Sequence, residues 1–238
     1  MAVCFLVRHG HSTANAAGLL AGWLPDVALT DRGEAQARAL AAALGEVGVL
    51  RVVTSPLSRC VATAAALTSA GLPTAEVDDE LGECHYGAWT GRALGDLARD
   101  PLWRTVQDDP EAARFPDSAA YRGESLGEMA TRVTTAIRRA DAQVTTAHGP
   151  EAAWVAVSHG DPIKAVLAQA TGGGVAGLQR FHVDPGSVSV VRYAADRAIV
   201  LATNVRAGGL ESLIAATSGG PRAGDAVVGG GSGAAPAH

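Results

Sequence analysis

The chain is poor in several things that would each have pointed elsewhere. Lys164 is its only lysine, and the other basic residues are all arginine, in a protein with a net charge of −5. No basic stripe with interleaved aromatics occurs, so nucleic acid is not an expected partner, and any anion site must be a local pocket. The lone lysine against abundant alanine and glycine reads as composition bias. No apolar run approaches the roughly 18 residues that cross a bilayer, so no membrane association is expected. The N-terminal apolar run, Ala2 to Val7, has no basic region before it and no cleavage pattern after it. A cytoplasmic location is therefore the default expectation. Cys4, Cys60 and Cys84 share no metal-ligand spacing, and an odd count in a reducing compartment argues against a disulfide framework. They read as packing residues, Cys84 being the least settled because of its polar neighbours.

What is present is a construction used repeatedly. Val3 to Val7 is a short apolar run of β-forming residues that stops at Arg8-His9-Gly10, after which Ser12, Thr13 and Asn15 offer caps for a helix. Arg51 to Thr54 is a second strand, punctuated by Ser55-Pro56 as a hydroxyl N-cap and a proline at the first helical position. Arg59 then lies in the first turn and Thr63 shares its face, while Leu57, Val61, Ala64 and Thr68 form the packed side. Ala152 to Ser158 repeats the opening design, ends at His159-Gly160, and is followed by Asp161-Pro162 as cap and first helical proline. Three strand-to-helix junctions therefore deliver Arg8, His9, Arg59 and His159 to one edge of one parallel sheet, the edge where open α/β sheets bind ligands.

Other elements are scaffold. Asp31 with Glu34 is a capping-box-like start for a helix striped by Ala35, Ala39, Leu40, Ala43 and Leu44 and closed by Gly45. Ser125 with Glu128 is a second capping box, opening an amphipathic helix whose buried stripe is Leu126, Met129, Val133, Ile137 and Ala140. Pro73 to Asp79 is a short extended segment. Glu80 to Gly91, with three glycines among acid, imidazole, phenol and indole, is a loop. Arg92 to Arg99 is a short helix. Residues 100–122, with three prolines, form an insertion over the sheet edge or the site. Ser187–Tyr193 and Ala198–Thr203 form a terminal hairpin through an Asp196-Arg197 turn. The domain ends near residue 206, and 207–238 is a Gly/Ala-rich tail expected to be disordered from about 215.

Two guanidiniums, two imidazoles and helix N-termini at one sheet edge suit a compact dianion, and phosphate matches the arginine fork best. Glu83 adds a single carboxylate to this cationic pocket. Beside a phosphate it is tolerable only if it carries or exchanges a proton, which makes it the candidate acid/base.

Arg8-His9-Gly10-x-Ser12-x-x-Asn15, then Ser55-Pro56-Leu57-x-Arg59-x-x-x-Thr63, then Glu83-x-x-Tyr86-Gly87-x-Trp89-x-Gly91, then Ser158-His159-Gly160 together resemble the histidine phosphatase superfamily, the phosphoglycerate mutase-like group. The resemblance spans roughly residues 3–204. It implies a three-layer α/β/α fold with a mostly parallel central sheet, and a phosphohistidine mechanism without metal or other cofactor. His9 would be the nucleophile, and Arg8, Arg59 and His159 would neutralise the transferring group. Glu83 would protonate the leaving alcohol and then deprotonate water. Asn15 and Ser12 would be further phosphate contacts and Tyr86 a substrate contact. The expected partners are a small phosphorylated substrate and inorganic phosphate, and dimerisation through an exposed strand edge is frequent in the family.

Phosphatase is favoured over mutase. The Glu83 loop looks mutase-like, but the paired-arginine, proline-rich segment of the cofactor-dependent mutases is missing, since Arg138-Arg139 lie in the amphipathic helix. A third reading is a non-catalytic phosphate-binding module, which would usually have lost one of these residues. Trp89, Trp103, Phe115 and Tyr121 are candidates for a sugar or aromatic leaving-group pocket, though core or lid packing is the commoner fate of such residues. His85 either faces the site or not, whereas His11 and His182 read as structural.

Overall fold

The computed structural model describes residues 2–210 apart from 195 and 196. The expected tail from about 215, and Asp196 of the expected hairpin turn, lie outside the described residues. Strand β1 (Val3–Arg8) is followed by a one-turn helix α1 (Thr13–Ala16), helix α2 (Asp31–Gly45), β2 (Val49–Thr54), α3 (Ser58–Ser69) and the two-residue β3 (Glu76–Val77). A loop with two 3-10 turns leads to the short helix α4 (Leu94–Leu97) and then α5 (Pro101–Asp108). The long helix α6 (Leu126–His148), β4 (Ala153–Ser158), α7 (Gly160–Ala170) and the hairpin β5 (Val188–Tyr193) and β6 (Ala198–Val205) complete the fold.

The six strands form one sheet in the order β3-β2-β4-β1-β5-β6. β1 to β4 are parallel, β5 runs antiparallel to β1, and β6 runs antiparallel to β5 and so in the direction of the other strands. Side chains alternate across a strand, and β1 shows what that does here. Val3, Phe5 and Val7 enter a core with Leu40 and Leu44 of α2 and Cys60, Ala64 and Leu67 of α3. Cys4 and Leu6 enter a second core on the opposite face, with Met129, Val133 and Ile137 of α6 and Ile163, Val166 and Leu167 of α7. Both faces of the central strands are therefore covered, giving three layers. Burying Phe5 and Leu6 contributes about 1.5–3 kcal/mol each. All three cysteines are buried and free. Among the described residues no helix is long and apolar enough to cross a membrane.

Several boundaries differ from expectation for local reasons. The N-cap of α2 is Thr30, whose side chain accepts from Gly33 N–H; its buried face is Gly33, Ala37, Leu40, Ala41 and Leu44, leaving Ala35 and Ala39 exposed. Helix α3 begins at Ser58, not at Pro56, with Leu57 in the cap position; Ser55 Oγ accepts from Leu57 N–H (3.3 Å) and lies 2.7 Å from His159 Nε2. Its buried side is Arg59, Cys60, Thr63, Ala64 and Leu67, and Val61 faces out. Helix α7 starts at Gly160 with His159 in the cap position, so Asp161 is inside the first turn and its carboxylate is available for other contacts. Helix α5 was not expected; Asp100 accepts from Leu102 N–H and Pro101 occupies the first turn, a start signal hidden in a polar, proline-rich stretch.

Candidate active site

β2, β4 and β1 are neighbours, so their C-terminal ends bring Ser55, His159 and Arg8-His9 together. Gly10 is required where the chain leaves β1. A Cβ there would lie 2.4 Å from the Gly33 carbonyl oxygen, so only glycine lets this turn pass the start of α2. The Gly10 N–H donates to Thr63 Oγ1 (3.1 Å), and Thr63 donates to the Arg59 carbonyl (2.7 Å), which ties the turn to α3.

His9 lies at the centre. Its Nδ1 is 2.8 Å from the Gly10 carbonyl, which selects the tautomer with the proton on Nδ1 and the lone pair on Nε2. Arg59 Nε–H donates to that lone pair across 3.2 Å. Burial, then the charges of Arg59 and Arg8, push the His9 pKa well below its ordinary value, so the ring is a neutral imidazole at neutral pH. The His159 ring packs edge-on to His9 at 5.2 Å and is also held neutral, by burial and by Arg59. Its Nε2 is 2.7 Å from Ser55 Oγ.

The two guanidiniums are incompletely partnered. Arg8 Nη1 donates to the Val183 carbonyl (2.6 Å) and Arg59 Nη2 to the Gly22 carbonyl (2.9 Å). Arg8 Nε and Arg59 Nη1 are buried without a hydrogen-bond partner. Such orphaned charged donors are costly, and an anion in the adjoining cavity would satisfy them. That cavity holds about 250 Å³ and is lined by Arg8, His9, Ser12, Asn15, Arg59 and Glu83 at its cationic part. Ser12 and Asn15 form a capping box in which the Ser12 hydroxyl donates to Asn15 Oδ1, so the amide NH2 of Asn15 is the uncommitted donor of the pair. His159 is fully buried behind His9 and does not line the cavity.

Glu83 is carried by the glycine-rich loop, and the structure shows why glycine is needed in it. A Cβ on Gly82 would meet the Trp23 ring at 2.3 Å, and Gly87 adopts φ +50 with the Pro116 carbonyl where a Cβ would stand. Trp23 Nε1–H donates to the Glu83 carbonyl (2.6 Å), and Arg132 of α6 donates to the Glu80 and Gly82 carbonyls and to the Glu124 carboxylate. Burial and the nearby charge of Asp161 raise the Glu83 pKa to about 7, although Cys84 N–H donates to its Oε1. Asp161 behaves oppositely. Burial alone would raise its pKa, but Lys164 and the hydroxyl of Tyr86 hold it below the ordinary value. Tyr86 Oη donates to Asp161 Oδ2 at 2.7 Å, and Lys164 Nζ donates to Oδ1 at 3.2 Å.

All the expected residues thus converge, with His159 one layer back. Trp89, Trp103 and Phe115 line the cavity, so α5 and the segment after it form one of its walls, whereas Tyr121 does not. His85 stacks on Trp23 at 4.3 Å outside the cavity wall. Asp161, Lys164 and Arg132 were not read from the sequence as site residues. The first two had a legible signal in their place near the start of the helix that follows a strand-end histidine. Arg132 had none, being one arginine on an amphipathic helix.

Fold and site together are those of a phosphate-handling α/β protein, and the family model named histidine phosphatase superfamily (branch 1) matches residues 4–206; the chain belongs to that superfamily. A probable phosphoglycerate mutase of Erwinia tasmaniensis is 35% identical over 135 residues, 56% of this chain and 60% of that protein. A glucosyl-3-phosphoglycerate phosphatase of Mycolicibacterium vanbaalenii is 31% identical over 80% of this chain and 91% of its own length. The alpha-ribazole phosphatase structure from Shigella flexneri superposes with a TM-score of 0.71 at 28% identity, covering 86% of this chain and 96% of that one. The chain spans only 50% to 60% of the length of several of the curated relatives that it matches, the Erwinia protein included.

Proposed function

We propose that the chain is a metal-independent phosphomonoesterase that works through a phosphohistidine on His9, acting on a small phosphorylated metabolite. The observation that carries this reading is His9 itself, a neutral imidazole with its Nε2 lone pair oriented by Gly10 and flanked by two arginines with buried, unpartnered N–H groups. As the Arg59 Nε–H passes from the Nε2 lone pair to a phosphate oxygen, His9 Nε2 attacks phosphorus in line, forming the N–P bond as the P–O bond to the alcohol breaks. Glu83, protonated near neutral pH, gives its proton to the leaving oxygen. Glu83 as carboxylate then takes a proton from the water that attacks phosphorus, the N–P bond breaks, and inorganic phosphate leaves. Arg8, Arg59 and Asn15 hold the equatorial oxygens, where phosphoryl-transfer catalysis is mainly supplied. Ser12 orients Asn15, and Tyr86 borders the leaving group. His159, packed edge-on behind His9, supports the nucleophile's ring from outside the cavity.

Relatives named as phosphatases support the reaction class. The testing experiment is phosphate release from a panel of phosphomonoesters in excess EDTA, with His9→Ala as control and 3-phosphoglycerate isomerisation followed in parallel. Release that depends on His9 and not on metal is the expected result. Isomerisation that requires 2,3-bisphosphoglycerate would make the chain a mutase, and phosphate binding without turnover would make it a binding module.

A further inference from the structure

The cavity wall contains few ionisable side chains, and their charges nearly cancel once a phosphate is bound. Arg8 and Arg59 line it without any carboxylate partner within ion-pair distance among the described residues. A phosphate dianion balances these two cations. The remaining charged pair, Asp161 and Lys164, balances itself through the 3.2 Å contact between them. Both side chains are largely buried, at 17% and 21% exposure, so solvent screens an added charge there only weakly. His9 and the protonated form of Glu83 add nothing to this balance. A second negative charge on the substrate would therefore stand in a low-dielectric cavity with no cation left to meet it.

The same wall offers hydrogen-bonding groups beyond its balanced charges. Lys164 Nζ uses one N–H on Asp161 and one on Gln179 Oε1 (3.3 Å), leaving a third. The amide of Gln107 lines the cavity without a hydrogen-bond partner among the described residues. Leu20, Trp89 and Trp103 add apolar and aromatic surface to the same cavity.

We propose that this wall is a leaving-group subsite built by Asp161, Lys164 and Gln107, and that it selects phosphate esters of hydroxylated alcohols with no net charge over esters whose alcohol carries a carboxylate or a second phosphate. The proposal rests on the phosphatase reading for which end of the cavity holds phosphate. Asp161 is its specificity-determining residue, because its charge cancels the one cation that could otherwise receive an anionic substituent.

The test compares two esters of nearly equal size, glycerol 3-phosphate and 3-phosphoglycerate, which differ in a hydroxymethyl against a carboxylate. Dissociation constants are measured calorimetrically on the His9→Ala protein, so that binding is read whether or not either ester is hydrolysed. Glycerol 3-phosphate should bind at least about tenfold more tightly, the scale of one unmet charge in a desolvated site. With Glu83→Gln added to the background so that the Glu83 position stays uncharged, Asp161→Asn, which adds a positive charge, should erase or reverse that preference; Lys164→Met, which removes one, should widen it. Equal or reversed affinities before these changes, no measurable binding of glycerol 3-phosphate, or a ratio that neither substitution moves would overturn the proposal. Hydrolysis of p-nitrophenyl phosphate by the unaltered protein, measured alongside, reports on the phosphatase reading independently.

Discussion

Arg59 and His9, fifty residues apart, meet with Nε of the guanidinium donating to Nε2 of the imidazole across 3.2 Å. The contact requires a lone pair on Nε2, so it is compatible only with the neutral ring. A cation thereby holds the nucleophile as the neutral ring and is itself left with a buried, unpartnered Nη1 for the ligand.

This relationship predicts the acidic side of the rate profile. With the His9 pKa well below 6.5, through burial and then Arg59, kcat/KM for p-nitrophenyl phosphate should not decline as pH falls from 7 to 6. Arg59→Met should cost about 10²–10³-fold in kcat, the scale of losing one preorganised charge-stabilising donor. It should also move the acid limb to higher pH, a shift that simple misfolding would not produce.

Glu83 predicts the alkaline side. Its acid form is required to protonate a poor leaving group, so turnover of alkyl phosphates should fall as pH rises through about 7. Removing the Asp161 charge lowers the Glu83 pKa, and Asp161→Asn should therefore move this limb to lower pH. Glu83→Gln should slow alkyl phosphates far more than p-nitrophenyl phosphate, whose leaving group needs no proton. Equal losses on both would contradict the acid role.

The same group predicts a stability change. A carboxyl whose folded pKa is raised from 4.5 to about 7 favours folding below 4.5, and that contribution is lost as pH climbs through 7. Glu83→Gln cannot ionise, so at pH 8 it should be more stable than the unaltered protein by on the order of 1–3 kcal/mol in urea unfolding. An unchanged or lower midpoint at pH 8 would contradict the raised pKa.

Gly10→Ala should destabilise the fold by about 2–3 kcal/mol, because its Cβ would meet the Gly33 backbone and not a movable side chain. The check is the denaturant midpoint, with activity falling further than the unfolded fraction because His9 is displaced.

The strands and the three polar strand ends were legible because each signal is local: an apolar run, then a polar triplet, then caps. Helix starts were less so. Ser55 and Asp161 have the chemistry of N-caps, and sequence cannot reveal that Ser55 is taken by His159 and Asp161 by Tyr86 and Lys164, since those partners come from other elements. For the same reason Lys164 read as a compositional accident, although it faces the cavity. The buried faces of α2 and α3 were displaced because alanine-rich helices carry little contrast between their sides. In α3 the core side includes Arg59 itself, an arginine that only the site's geometry explains.

The central claim is a covalent bond between His9 and phosphorus, and the direct measurement is intact-protein mass spectrometry after millisecond mixing with p-nitrophenyl phosphate and alkaline quench. The account predicts a transient adduct of one phosphoryl group, stable to base, labile to acid, located on His9 by fragmentation and absent from His9→Ala. Phosphate release with no such adduct at any time, or an adduct that survives in His9→Ala, would contradict it.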